Sequence, residues 1–402
     1  MEPASGEVEY EPRSVKEVLA EMKDTAELLI DLSFSAVLHG SDDIATEVLA
    51  LERKMDVLEL QARMSLLMAA RSPEDAEELA PVLGVVGAAE KISDAAGDIA
   101  KVVLEDIGLP SAMRATLPEA IETLVRASVV ETSSLAGQTL GALNLETETG
   151  VRIIAIHRGG DWIPNPDRNT DLRADDRLLL RGPDEGIANV YERATGERYA
   201  PPDPPEAGDT DLERAVDSIV LMKNMSELAV DLAYGSVLFD SEEVAEEVVE
   251  LEAEVDALQS RFEAWTLQAA SHVDDPVSLR GLVHLANSTE VISDAAVEIS
   301  EGVLHGLGTH PVVEQAVQES DEVIVRVTVA RGSAFDGTTL GEERVETETG
   351  MRVIAVRRPP DDWVISPGPA TEINASDVLL AKGTRSGAER LAELAGGAGA
   401  ED

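Results

Sequence analysis

The sequence contains no cysteine. Disulfides, thiolate metal sites and cysteine nucleophiles are therefore excluded. No stretch approaches the roughly 18 to 20 uninterrupted apolar residues that a spanning helix requires. The opening residues Met1-Glu2-Pro3-Ala4-Ser5-Gly6 lack the basic and apolar regions of a signal peptide. The expectation is a cytoplasmic chain without membrane insertion, peripheral at the inner face of the membrane only through a partner. Basic residues are scarce as well: 32 against 79 acidic ones, only seven of them lysine, for a net charge of -47. Such an anionic surface repels nucleic acid and excludes it as a partner. It matches a halophilic cytoplasm, where concentrated cations screen the self-repulsion; an ordinary acidic protein is the plainer alternative.

What is present is a globular composition, 44% hydrophobic over 402 residues, enough to bury several cores. It is written twice. Met22-Lys23 recurs as Met222-Lys223 and Ile92-Ser93-Asp94-Ala95-Ala96 as Ile292-Ser293-Asp294-Ala295-Ala296. Glu146-Thr147-Glu148-Thr149-Gly150 recurs as Glu346-Thr347-Glu348-Thr349-Gly350. A constant offset over this length marks a duplicated unit. The boundary falls in Tyr199-Ala200-Pro201-Pro202-Asp203-Pro204-Pro205, where proline density and charge give a linker.

Within each unit the hydrophobic period changes partway. Residues 15–105 read as three helices. The first ends near His39-Gly40, and the second starts after the N-cap Ser41 with Asp42 and Asp43 in its first turn. Its stripe is Ile44, Val48, Leu51, Met55 and Leu58, repeated as Val244, Val248, Leu251, Val255 and Leu258. The third starts at Ser72-Pro73 and carries Val85, Ala89, Ile92, Ala96, Ile99 and Val103. Such helices with short turns form an antiparallel bundle. Beyond about residue 125 the pattern becomes strands: Val129-Val130, Val151 to Ile156 and Leu178 to Leu180, with short helices at Leu140 to Leu143 and after Pro183. The fold class is α+β: two repeats, each a three-helix antiparallel bundle followed by a small α/β domain. The boundaries read as a bundle over 12–122, an α/β domain over 123–197, a linker over 198–210, a bundle over 211–320 and an α/β domain over 321–397.

Four acidic pairs stand out. Glu52 with Asp56 and Glu252 with Asp256 lie on the middle helices; Glu90 with Asp94 and Glu290 with Asp294 lie on the third. Positions i and i+4 share a helix face, so two facing pairs offer four carboxylates to a divalent cation such as Mg²⁺ or Ca²⁺. A solvated acidic face is the alternative, since a chain this acidic produces such spacings by composition. In the strand 151–158, strict alternation places Arg152, Ile154, Ile156 and Arg158 on one face, with His157 beside them. Arginines flanking aliphatic side chains suit a phosphate-bearing ligand; the alternative is that they edge the sheet and pair with local acids. The second copy supplies Arg352, Ile354, Arg357 and Arg358, followed by Pro359-Pro360. Catalysis finds no support. The histidines at 39, 157, 272, 284, 305 and 310 are mostly not duplicated, and no triad order or phosphate loop is present. Trp162 and Trp363 read as packing residues.

The helical half resembles the PhoU helical-bundle domain, whose middle and third helices carry E-x-x-x-D pairs like those at Glu52, Glu90, Glu252 and Glu290. The strand-rich half resembles the C-terminal ligand-binding (RCK C-terminal) domain of TrkA-type potassium-uptake regulators. That resemblance is carried by Leu135-Ala136-Gly137-Gln138-Thr139-Leu140, Gly150 to Arg158 and Asp175-Asp176-Arg177-Leu178-Leu179-Leu180, and more weakly by Phe335 to Leu340 and Ala375 to Leu380. The nucleotide-binding half of such regulators is missing, because no GxGxxG turn occurs. The resemblances imply a non-enzymatic regulatory subunit of cation transport, potassium first. Its partner would be a separately encoded membrane transporter or channel, and its effector cyclic di-AMP or another small anion held between paired domains. They also imply that both pairings form within one chain as an intrachain pseudo-dimer, with a homodimer as a further level. The alternative they leave open is a metal-binding modulator of phosphate uptake.

Overall fold

The computed structural model describes residues 14–110, 123–200, 210–273, 275–307, 310–358 and 362–396. Most of the linker therefore lies outside the described residues. By contact the chain forms two compact units. One comprises Met1–Ile107, Met225–Ala257 and Val283–Ser320, the other Gly108–Asn224, Leu258–Leu282 and Asp321–Asp402.

In the first unit, helices α1 (Val15–His39), α2 (Asp42–Ala69) and α3 (Pro73–Leu104) pack against one another. Their ends obey the capping chemistry read from sequence. Ser14 accepts the Glu17 N–H at 3.2 Å, and Ser41 accepts the Ile44 N–H at 3.4 Å. Between them Gly40 turns the chain at φ 54°, the left-handed conformation that only glycine adopts without strain. The α2 stripe from Ile44 to Leu58 is buried along its whole length. On α3 the stripe holds through Ile99, but Val102 rather than Val103 enters the core.

Helix α1 buries more than an apolar stripe. Lys23 is 2% exposed, bonds Glu27 at 2.8 Å and lies 5.4 Å from the Tyr234 ring centroid. Tyr234 belongs to the second set of helices, α7 (Asp211–Phe239), α8 (Glu242–Ala269) and α9 (Arg280–Leu304). Within this unit the Ser226 hydroxyl donates to the Thr289 carbonyl at 3.0 Å and the Ser236 hydroxyl to Ser300 at 3.2 Å, tying α7 to α9. A further helix, α10 (Pro311–Glu319), packs on α1, and Lys16 reaches Glu319 at 2.6 Å. The reading of three helices did not include it, although Pro311 behind His310 is a helix-start signal.

In the second unit, the first sheet is antiparallel in the order β1-β4-β2-β3, built from β1 (Thr123–Ser128), β2 (Arg152–Arg158), β3 (Asp161–Pro164) and β4 (Arg177–Gly182). Short helices α4 (Leu140–Leu143) and α5 (Leu145–Thr149) precede β2, and α6 (Asp184–Thr195) covers β1 and β4. The expected strand at Val129-Val130 is displaced: the strand is Thr123–Ser128. The Val129 and Val130 N–H groups instead donate to the distant Asp176 and Ala194 carbonyls at 2.8 and 3.0 Å. The second sheet repeats the order as β5-β10-β7-β8, from β5 (Val323–Thr328), β7 (Met351–Arg358), β8 (Asp362–Ile365) and β10 (Val378–Gly383). A two-stranded ladder joins β6 (Thr338–Thr339) to β9 (Glu372–Ile373), while α11 (Val345–Thr349) and α12 (Arg385–Leu394) repeat α5 and α6. Each sheet has its own core, centred on Ile153, Ile156, Leu178 and Leu180 in one and Val353, Val356, Leu379 and Ala381 in the other.

The two sheet domains pair within this unit. Helix α5 packs on α11, and the Thr147 and Thr384 hydroxyls lie 2.9 Å apart. Gly350, at φ 71°, allows close backbone approach: a Cβ there would stand 2.5 Å from the Glu146 carbonyl oxygen. Among the described residues no helix is long and apolar enough to cross a membrane.

Candidate functional site

The alternation expected along β2 does not survive. The register against β4 shifts between Ile153 and Ala155, and in the second sheet the β7–β10 register shifts between Leu380 and Ala381. A β-bulge inserts one unpaired residue and resets the two-residue period. Ile153 and Ile156 therefore share one core, and Arg152 and Arg158 reach separate partners. Arg158 is clamped by Asp176: Nε donates to Oδ1 and Nη2 to Oδ2, both at 2.7 Å, and Nη2 also donates to the Asp171 carbonyl at 2.6 Å. The hydrogen bond to Asp176 raises the Arg158 pKa and keeps it charged. Arg358 repeats the pattern with the Glu372 carbonyl at 2.6 Å and Asp377 at 3.6 Å. His157 sits 2.8 Å from Arg177 Nη2 and edge-on to Trp162, with ring centroids 4.9 Å apart. Ile154, Ile156 and Ile354 are buried. Arg357 is a half-buried residue at the end of β7.

Arg152 occupies the position of interest. It donates to Asn165 Oδ1 at 2.8 Å and lies 3.4 Å from Glu322, 3.6 Å from Glu146 and 3.8 Å from Asp321. Arg181 Nη2 meets both Glu322 oxygens at 2.9 and 3.0 Å, and Lys382 approaches at 3.8 Å. Burial opposes the Arg152 charge, but the facing carboxylates outweigh it and raise the pKa, so the guanidinium stays ionised. Together with Arg352, Glu346 and their neighbours these groups surround a cavity of about 20 Å³ between the sheet domains, room for about one water.

Beside it opens a groove of about 600 Å³, the size of a small-molecule site. Leu140, Leu145, Val151, Ile153 and Pro166 form its apolar wall, while Arg152, Arg168 and Arg385 bring three guanidiniums. Asn144, Asn165 and Asn169 add amides, and Glu146, Asp167 and Asp321 are the acids. The floor and one wall come from the first sheet domain, and Thr384, Arg385 and Ser386 at the start of α12 form the opposite wall. Of the residues singled out on β2, Arg152 lies on this groove. Arg168, Asn165 and Arg385 were not signalled, because loop residues converge only once the sheet domains pair.

The acidic pairs on the bundles do converge. Burial raises the Glu52 pKa, and Asp94, Asp56 and Asp98 raise it further. Glu90 is raised by burial and then by Asp94, and Asp94 by burial and then by Asp56. In the second copy burial raises Glu252, Glu290 and Asp294, with Asp256 contributing to each. The copies differ in their counter-charge. Lys101 lies 2.8 Å from Asp98 and 3.7 Å from Glu52, and the absence of a side chain at Gly97 leaves the space that the Glu52 carboxylate fills. The second copy has Glu301 and Val297 at those positions. There, one oxygen each from Glu252, Asp256 and Asp294 lie within 4.8 Å of one another, a donor set of hard oxygens that fits Mg²⁺ or Ca²⁺.

The TrkA-C domain model matches residues 124–195 and 324–396, and the PhoU domain model matches 19–103 and 219–303. No curated protein matches the chain. Solved structures that match include a crystal structure of the GsuK RCK domain (17% identity, TM-score 0.18), covering 68% of this chain and 63% of that one. The GsuK channel bound to NAD and the GsuK channel match at 16% identity and TM-score 0.18, each over 68% of this chain. The chain thus spans about two thirds to half the length of those proteins, with 53% and 52% coverage of the latter two. PhoU and TrkA-C domains are typically regulatory modules rather than enzymes. The chain is a tandem PhoU and TrkA-C protein, with two domains of each kind in alternating order.

Proposed function

We propose that this chain is a cytoplasmic regulatory subunit of cation transport, potassium being the cation, and that its paired TrkA-C domains sense a phosphate-bearing effector such as cyclic di-AMP. Its partner is a separately encoded membrane transporter or channel. The observation that carries the reading is the groove of about 600 Å³ in which Arg152, Arg168 and Arg385 converge beside an apolar wall. In a chain of net charge -47, three guanidiniums matched one for one by Glu146, Asp167 and Asp321 make this concavity far less anionic than the rest of the surface. Arginine matches phosphate geometry with paired donors, and the leucine and proline wall suits a nucleobase. A ligand shifts a conformational equilibrium only through unequal affinity for two states. Both sheet domains line the groove, so occupancy favours the paired arrangement over any other. Calorimetric titration of the full chain with cyclic di-AMP, ATP and AMP tests the reading. Saturable heat with one of them supports it; heat with none removes its basis.

A second reading is favoured by the carboxylate oxygens of Glu252, Asp256 and Asp294, within 4.8 Å of one another. On this reading the chain is a PhoU-type modulator of phosphate uptake that carries a divalent cation on its second bundle. Metal retained after purification without added metal salts would favour it.

A further inference from the structure

The duplication offers the effector groove twice, and we propose that only one copy is a ligand site: the groove of Arg152, Arg168 and Arg385 binds the anion, while its counterpart is closed by an internal Arg344–Glu185 ion pair. This rests on the effector reading above. The two grooves share a backbone. In the first, the Leu140 and Gly141 N–H groups donate to the Thr170 and Arg168 carbonyls at 2.9 and 2.7 Å. In the second, Leu340 and Gly341 donate to Thr371 and Pro369 at 3.1 and 2.8 Å. Asn144 and Arg344 hold the same left-handed turn at φ 46° and 47°. Side chains at these positions therefore stand at equivalent points, and they have diverged.

Where the first groove presents Arg168, the second presents Pro369; where it presents the neutral Asn144, the second presents Arg344. The facing wall reverses sign. Arg385 and Ser386 at the start of α12 correspond to Asp184 and Glu185 at the start of α6. Arg344 bonds Glu185 across this gap at 2.6 Å and lies 3.4 Å from Glu348. Arg168 makes no ion pair among the described residues and is exposed. An anion entering the second groove meets two carboxylates and an arginine already engaged. An anion entering the first meets Arg152 and Arg168 on one wall and Arg385 on the other, beside Glu146, Asp167 and Asp321. The consequence is one effector per chain, not two, despite the near-symmetry of the fold.

Equilibrium dialysis of the full chain against labelled cyclic di-AMP, with labelled ATP in parallel, counts the sites. One probe molecule per chain is expected, with affinity falling about tenfold or more in Arg168→Glu and less in Arg168→Gln, since one charge-assisted contact is lost. The double variant Arg344→Asn, Glu185→Ser leaves that affinity unchanged. Arg168 is exposed and Arg344 is 46% exposed, so both sets of variants retain the fold, checked by circular dichroism. Two equivalent molecules per chain, or binding that depends on Arg344 and not on Arg168, would overturn the assignment and leave the effector reading standing. No bound probe of either kind overturns both.

Discussion

Removing the Glu322 carboxylate tests the account of how the sheet domains are held together. Glu322 is 6% exposed and faces three cations: Arg181 at 2.9 Å, Arg152 at 3.4 Å and Lys382 at 3.8 Å. At an effective dielectric constant of about 20, the Arg181 contact alone is worth roughly 6 kcal/mol of attraction before desolvation is subtracted. Truncation to alanine returns the desolvation cost of one carboxylate but strands three buried or half-buried cations against one another. Breaking one side of a buried pair costs about 3–5 kcal/mol. With a urea slope of about 2 kcal/mol/M, Glu322→Ala lowers the midpoint of this unit by roughly 1.5–2.5 M. Trp162 and Trp363 report on the two sheets once Trp265 in α8 is replaced by phenylalanine, so fluorescence follows the relevant transition. The double variant Arg181→Met, Glu322→Met is expected to lose less than Glu322→Ala, because fewer cations face the gap. A midpoint shift below about 0.5 M for Glu322→Ala, or additive losses in the double variant, would refute the reasoning.

The remaining predictions concern the other charge clusters and the sheet pairing. Glu52, Glu90, Asp94, Glu252, Glu290 and Asp294 all have pKa values raised in the folded state, chiefly by burial and then by one another. The folded chain then binds more protons than the unfolded chain between the unfolded and folded pKa values, so their contribution to stability falls as pH rises through that window. Melting in low salt should therefore show a midpoint that falls as pH rises through the window just above the ordinary carboxylate range, and the fall should shrink in molar salt. Mg²⁺ titrated at pH 7.5 should bind the second bundle, and Asp294→Asn should weaken that binding about tenfold while Asp94→Asn leaves it unchanged, because Lys101 already serves the first cluster; equilibrium dialysis reads both. Gly350→Ala should destabilise the sheet pair by about 2 kcal/mol or more, since its positive φ and a 2.5 Å approach to the Glu146 carbonyl both penalise a Cβ; urea denaturation measures it.

The helix caps and stripes were legible because each depends on residues a few positions apart: Ser41, Gly40 and the Ile44 to Leu58 series need no tertiary information. The repeat was equally plain. The bulge in β2 was not, since Arg152 to Arg158 reads as a regular alternation and only the register with β4 exposes the extra residue. Helices α5 and α11 escaped for a local reason: Leu145–Thr149 and Val345–Thr349 are five residues long and rich in β-branched threonine, which disfavours helix. They persist because each packs on the other. The groove was invisible for the same cause. Asn165 and Arg168 share one loop of the first sheet domain, and Arg385, far away in sequence, meets them only when the two sheet domains pair.

Hydrogen exchange of the full chain with and without cyclic di-AMP tests the central claim most directly. The account predicts slowed exchange at residues 140–147, 151–153, 165–169 and 384–386, with the equivalent segments 340–347 and 183–185 unaffected. Protection confined to the helical bundles, or absent from both walls of the groove, would contradict it.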